Sequence, residues 1–239
     1  PSFYYNSFDT ISAAGSNAAI THYRVSPKSN KKINPSDLIL VDSGGQYLEG
    51  TTDVTRTIIK GRVLPEQKFF YTKVLQGLIC LSKLKWPAGL TGKELDPLAR
   101  YFLWEHSLDY DHGTGHGVGV FSNVHQGPQG ISRLNTVPLN PGMILSVEPG
   151  VYLEGKLGIR LENLVYVKMK SGFSGQKKEF LEFETLTLVP FEKKLIEKNL
   201  LSREELHWLN SYHHNVYKKL SPFLNVSEKT WLRDACKIL

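Results

Sequence analysis

Apolar positions along the chain change period several times, and each change marks an element. Leu38–Val41 is an unbroken apolar run, followed by Asp42-Ser43-Gly44-Gly45-Gln46-Tyr47 and then by the β-rich stretch Thr51–Ile59. Two such runs around a glycine turn predict a hairpin. From Pro65 the period lengthens. Phe70, Val74, Leu78, Ile79 and Leu81 recur at near-helical spacing, which predicts a helix that runs until Pro87 stops it. Thr91-Gly92-Lys93-Glu94 is a capping box that opens a second helix through about Glu105. Both helices are expected to cover a sheet.

Between Asp111 and Gly130 glycine is too frequent for a helix. Met143–Tyr152 and Leu157–Val167 alternate or run apolar like paired strands, with Gly155 in their turn. After Pro190 the texture changes again. Ser202-Arg203-Glu204-Glu205 is another capping box, and Leu206, Leu209, Tyr212 and Val216 form a helical stripe. Residues 191–239 therefore read as a helical extension in which Trp208, Tyr217 and Trp231 serve packing. No repeat of 20–50 residues is present. Strands interleaved with helices give a mixed α and β fold class.

At 239 residues, with 41% hydrophobic and 22% charged positions, the chain has the composition of a folded protein of one large domain or two small ones. Its longest aliphatic run is far shorter than the roughly 20 residues of a membrane span, so no membrane partner is expected. The first residue is Pro1, no basic-then-apolar leader opens the chain, and the sequence is expected to be part of a longer product. Cys80 and Cys236 form no metal-knuckle spacing, which points to a reducing compartment. The net charge of +6 lies largely in short clusters, Lys28–Lys32, Lys177–Lys178 and Lys193–Lys194. Such clusters read as solvated loops, and nucleic acid is not expected as a partner.

Candidate chemistry lies where carboxylates and histidines interrupt strand-like or glycine-rich segments: Asp42, Asp53, His112, His116, His125, Glu148 and Glu162. Asp42 ends an apolar run and Glu148 follows another. In a strand Arg160 and Glu162 would point to one face and Ile159 and Leu161 to the other. His112 and His116 are four apart, but the glycines between them argue for an extended segment that approaches a ligand closely. Four carboxylates and one imidazole, Asp42, Asp53, His116, Glu148 and Glu162, nearly balance two divalent cations. Without metal the same cluster would repel itself. An oxygen-rich set with one nitrogen suits Mn²⁺, Co²⁺ or Zn²⁺, and a two-metal site suits hydrolysis.

Six segments carry a resemblance in order and spacing: Leu40–Tyr47, Gly50–Thr57, His112–Gly119, Asn123–Pro128, Ser146–Gly150 and Gly158–Asn163. Over residues 8–190 the chain resembles the pita-bread metallopeptidases, specifically the soluble Xaa-Pro aminopeptidases. Its helical tail resembles the C-terminal extension of their long, eukaryotic-type cytosolic form, which implies a cytoplasmic location. The resemblance implies a curved, mainly antiparallel sheet backed by helices, a catalytic domain over residues 1–190, an extension over 191–239, and absence of the long form's N-terminal domains. It implies two divalent metal ions, Mn²⁺ first among the candidates, held by Asp42, Asp53, His116, Glu148 and Glu162, with Asp53 and Glu162 bridging. Glu148 would accept a proton from the attacking solvent. His112 and His125 would contact the scissile amide and the proline region, His22 would shape the same pocket, and Arg160 would orient the metal-bound carboxylates. Substrates would be peptides with proline in the second position, and the assembly a homodimer.

Gln126 stands where these enzymes often carry Glu, and Val147 where they often carry Asp or Asn; neither is a metal ligand. A proline dipeptidase uses the same ligands and remains an alternative. Pita-bread relatives that bind histones, ribosomes or RNA typically lose metal ligands, and creatine-degrading relatives replace the carboxylates. All five ligand positions are retained here.

Overall fold

The computed structural model describes residues 2–170 and 178–239, so Pro1 and Lys177 lie outside the described residues. Among the described residues, fourteen strands and four α-helices follow in order. The strands of the first half are β1 (Phe3–Asn6), β2 (Ile11–Ala14), β3 (Leu38–Ser43), β4 (Gly45–Tyr47), β5 (Gly50–Thr51) and β6 (Val54–Ile59). Helix α1 (Pro65–Ser82), strand β7 (Lys85–Pro87) and helix α2 (Gly92–Trp104) come next. The second half holds β8 (Gly115–His116), β9 (Gly130–Ile131), β10 (Ile144–Val147), β11 (Gly150–Leu153), β12 (Leu157–Arg160), β13 (Asn163–Lys170) and β14 (Phe180–Thr185). Helices α3 (Arg203–Leu220) and α4 (Val226–Ala235) close the chain.

The mixed α and β expectation holds, and the strand pairs are antiparallel. β3 and β6 do pair, Asp42 opposite Thr55, but the expected hairpin is not simple. β4 and β5 form a smaller hairpin between them and join β1 instead. Helix α1 ends at Ser82, before Pro87, because Lys85–Pro87 pairs with β14 and buries Trp86 against Phe183, ring centroids 4.5 Å apart. The capping boxes at Thr91 and Ser202 are both formed.

Leu157–Val167 is not one strand. It breaks at Leu161–Glu162, opposite a break at Glu148–Pro149, so β11–β12 and β10–β13 are two ladders in one continuous register, Gly150 facing Arg160 and Val147 facing Asn163. Pro149 has no N–H to give to such a ladder. At the break, backbone donors turn to neighbouring segments: Glu148 N donates to Thr114 O (2.7 Å) and Glu162 N to Thr55 O (3.1 Å). The interruption sets two carboxylates face to face.

One apolar cluster joins α1, α2, the central strands and the tail, from Tyr71, Leu78 and Leu95 to Val147, Ile159, Leu209, Val216 and Leu232. Trp208 and Tyr217 pack against it, as expected. Trp231 does not: it is 64% exposed on the outer face of α4, whose buried position is Leu232. Cys80 and Cys236 are free thiols. Among the described residues no helix is long and apolar enough to cross a membrane.

Candidate metal centre

Strand alternation puts Asp53 and Thr55 on the face of the β3–β6 pair that meets the broken ladder, and Asp42 lies across from Thr55. Segment 114–118 runs alongside β10, with Gly117 bridging Leu145 and Val118 N donating to Ile144 O (3.1 Å). Its closeness requires glycine, since a Cβ on Gly115 would stand 1.9 Å from Ser146 O. Similarly, a Cβ on Gly158 would stand 1.8 Å from Ala18 O, so β12 packs directly on the 3₁₀ segment Gly15–Ala19 that leads to His22.

These approaches enclose a cavity of about 420 Å³. It is lined by every residue singled out from sequence: Asp42, Asp53, His116, Glu148 and Glu162 with His22, His112, His125 and Arg160. Asp53, His116 and Glu162 each offer a ligand atom within 4.8 Å of the others. His116 Nε2 lies 3.5 Å from Asp53 Oδ2 and 3.3 Å from Glu148 Oε1, and its backbone N donates to Ser146 Oγ (2.9 Å). Thr55 Oγ1 donates to Glu162 Oε2 at 2.8 Å.

Arg160 is the buried cation of the group. Its Nη2 donates to Asp42 Oδ2 at 2.6 Å and its Nη1 to Tyr152 Oη at 3.0 Å, while Nε lies 3.9 Å from Glu148 Oε2. Burial, opposed by the attraction of Tyr152, Asp42 and Glu148, leaves this guanidinium more firmly protonated than usual. One guanidinium does not balance four carboxylates. Burial and mutual repulsion hold Asp53 above the usual carboxylate range and Glu162 well above it, and burial pushes Glu148 up to about 7.

Three buried carboxylate oxygens, Asp42 Oδ1, Asp53 Oδ1 and Glu162 Oε1, have no hydrogen-bond donor. Buried acceptors without partners are costly. Hard divalent cations would satisfy all three oxygens and remove the repulsion, so the donor set fits such ions.

The histidines differ. Burial lowers His112 to about 4, so the ring is neutral. Its Nδ1 lies 2.8 Å from Gly113 O and must donate, which leaves Nε2 to accept from Tyr152 Oη at 2.8 Å. The line Arg160, Tyr152, His112 is thereby oriented. His125, lowered chiefly by burial, packs its ring edge-on against His116, centroids 4.0 Å apart. His22 occupies an exposed turn at the cavity mouth. Val147 points into the core and away from the cavity.

Several supporting residues escaped the sequence reading. Tyr152 is one. Another group lies behind the histidine segment: Arg100 is paired to Asp96 (2.8 Å) and donates to Tyr110 O and His112 O, while Thr114 Oγ1 donates to Asp96 Oδ1 (2.6 Å). In sequence Asp96 and Arg100 look like an ordinary surface i,i+4 pair. Arg56, a lone charge inside a β-branched strand, did carry a signal, because such a charge needs buried partners.

The family model described as Metallopeptidase family M24 matches residues 2–169, and that for the C-terminal region of peptidase_M24 matches residues 179–239. A probable Xaa-Pro aminopeptidase P of Botryotinia fuckeliana is 49% identical over 232 residues, 95% of this chain and 36% of the relative. Aminopeptidase P1 of Arabidopsis thaliana is 45% identical, covering 96% of this chain and 36% of the relative. The X-prolyl aminopeptidase of Caenorhabditis elegans, described as a cytosolic enzyme with a di-nuclear active site, superposes with a TM-score of 0.95 at 42% identity over 99% of this chain and 39% of its own. The chain thus spans little more than a third of these relatives. It shares their pita-bread fold.

Proposed function

The chain belongs to metallopeptidase family M24, and we propose that it carries the catalytic site of a metal-dependent aminopeptidase that hydrolyses the N-terminal Xaa-Pro bond of peptides. The observation that carries this reading is the set of three buried carboxylate oxygens without donors, facing one cavity beside an imidazole. Asp42, Asp53, His116, Glu148 and Glu162 would hold two divalent ions, with Asp53 and Glu162 shared. When bound, such a pair supplies Lewis acidity toward the scissile carbonyl and a water nucleophile near neutral pH. We take Mn²⁺ as the resident ion because four carboxylates outnumber the single nitrogen ligand.

The remaining roles belong to the protein's own side chains. Glu148 takes up the proton of the attacking water on a carboxylate oxygen that the Ser146 hydroxyl (3.3 Å) keeps oriented. Arg160 fixes Asp42 in its ligand rotamer through a charge-assisted hydrogen bond. His125 meets the scissile amide. His112, with both ring nitrogens engaged, presents its ring to the proline region, and His22 closes the same side. We assign a cytoplasmic location, in line with the C. elegans relative, and a homodimeric state on the family resemblance.

The test is mass-spectrometric. Incubated with Mn²⁺, the chain should remove one residue from an Xaa-Pro-Yaa peptide and leave a matched Xaa-Ala-Yaa peptide and an Xaa-Pro dipeptide intact, with all activity lost to chelator. Preferential cleavage of the dipeptide would make it a proline dipeptidase, the activity named for a Bacillus anthracis neighbour of 33% identity and TM-score 0.66. Cleavage of none would refute the assignment for this chain.

A further inference from the structure

Arg56 sits on β6 facing away from the cavity, and it is 7% exposed. Every acceptor it reaches is neutral. Nη1 donates to Thr55 O (2.9 Å) and Glu162 O (2.5 Å), Nη2 to Asn163 Oδ1 (2.7 Å), Val189 O (2.7 Å) and Tyr212 Oη (3.1 Å), and Nε to Pro190 O (3.3 Å). The guanidinium also lies 4.2 Å over the Phe191 ring. Tyr212, on α3, donates in turn to Val189 O (2.8 Å) and stacks on Trp208, centroids 5.3 Å apart. The fork therefore ties three remote parts of the chain together at Glu162: strand β6, the ladder break, and helix α3.

Glu162 needs that tie. It lies outside both flanking strands, so no ladder hydrogen bond fixes its backbone. Its N–H goes to Thr55 O, which Arg56 Nη1 also holds, and its carboxylate takes the Thr55 hydroxyl. Resting on the metal reading given above, we propose that Arg56, braced by Tyr212, is a positioning residue for the Glu162 carboxylate. Helix α3 of the C-terminal extension thereby forms part of the support of the metal site rather than an appendage to it. Lysine cannot replace the planar five-donor fork, and residues that orient a metal ligand typically change ion affinity 10–100-fold when altered.

Isothermal titration of the whole chain with Mn²⁺ tests this, together with the visible absorption of the Co²⁺-loaded protein. Arg56→Lys should weaken Mn²⁺ binding at the pair that shares Glu162 by about 10–100-fold. Tyr212→Phe, which keeps the ring and its stacking, should weaken it about fivefold. Both should shift the Co²⁺ spectrum. Leu209→Ala, a core truncation on the same helix, should lower the melting temperature and leave affinity and spectrum unchanged. Wild-type affinity in both Arg56→Lys and Tyr212→Phe would overturn the proposal, as would an equal loss in Leu209→Ala. Failure of the wild-type chain to take up any ion would overturn the metal reading itself, and this inference with it.

Discussion

Replacing Arg160 with Met keeps the length of the side chain and deletes the guanidinium that meets Asp42 at 2.6 Å. The two side chains are 2% and 11% exposed, so water reaches neither freely. Asp42 Oδ1 already lacks a donor, and the substitution strips Oδ2 as well. Breaking a buried pair in this way costs about 3–5 kcal/mol because a charge is left uncompensated. At about 2–4 °C per kcal/mol for a chain of this size, the chelated variant should melt about 6–20 °C below the wild type. Urea unfolding in EDTA measures the free energy directly. Adding Asp42→Asn removes the stranded charge, so the double variant should be at least about 2 kcal/mol more stable than the sum of the two single losses predicts. A single-variant loss below about 1 kcal/mol, or strict additivity in the double, would refute the account of Arg160 as the counter-charge of this cluster.

Three further outcomes follow from the same geometry. His213 is fully buried, accepts from Phe191 N (3.1 Å), and is lowered to about 4 by burial and by Lys193 and Arg56. Below its unfolded value near 6.5 the unfolded chain binds the extra proton. Stability should therefore fall as pH drops from about 6.5 to 4, by about 3 kcal/mol from this site, and His213→Gln should flatten that part of the urea-midpoint profile. Gly115→Ala drives a Cβ into Ser146 O and should cost about 3 kcal/mol or more while separating His116 from Glu148; wild-type stability would show that the strand is free to move. Asp53→Asn should reduce cleavage of an Xaa-Pro peptide by several orders of magnitude, each order being about 1.4 kcal/mol of barrier, and near-normal turnover with normal metal content would contradict the bridging role proposed for it.

Much of the site was legible because its residues break local patterns. A carboxylate ending an apolar run, as at Asp42, or following one, as at Glu148, signals a buried acid whatever the fold, and the six ordered motifs linked those acids into one constellation. Capping boxes at Thr91 and Ser202 likewise report a purely local geometry. What periodicity missed depends on partners far along the chain. The break at Leu161–Glu162 cannot be read from an apolar run, because it arises where Pro149 opposes the strand and Thr55 captures the Glu162 N–H. Helix α1 stops at Ser82 through pairing of Lys85–Pro87 with β14, a partner almost a hundred residues away. Trp231 lies exposed because α4 turns Leu232 inward instead. Arg56 meets Tyr212 across 156 residues of sequence, and no spacing rule anticipates that contact.

Four carboxylates and one imidazole are proposed to hold a pair of divalent ions. The most direct measurement is metal content by inductively coupled plasma mass spectrometry after the chelated chain is dialysed against Mn²⁺, with Asp53→Asn treated in parallel. The wild-type chain should retain two ions and the variant should lose ions. No stable uptake by the wild type, or equal uptake by Asp53→Asn, would contradict it.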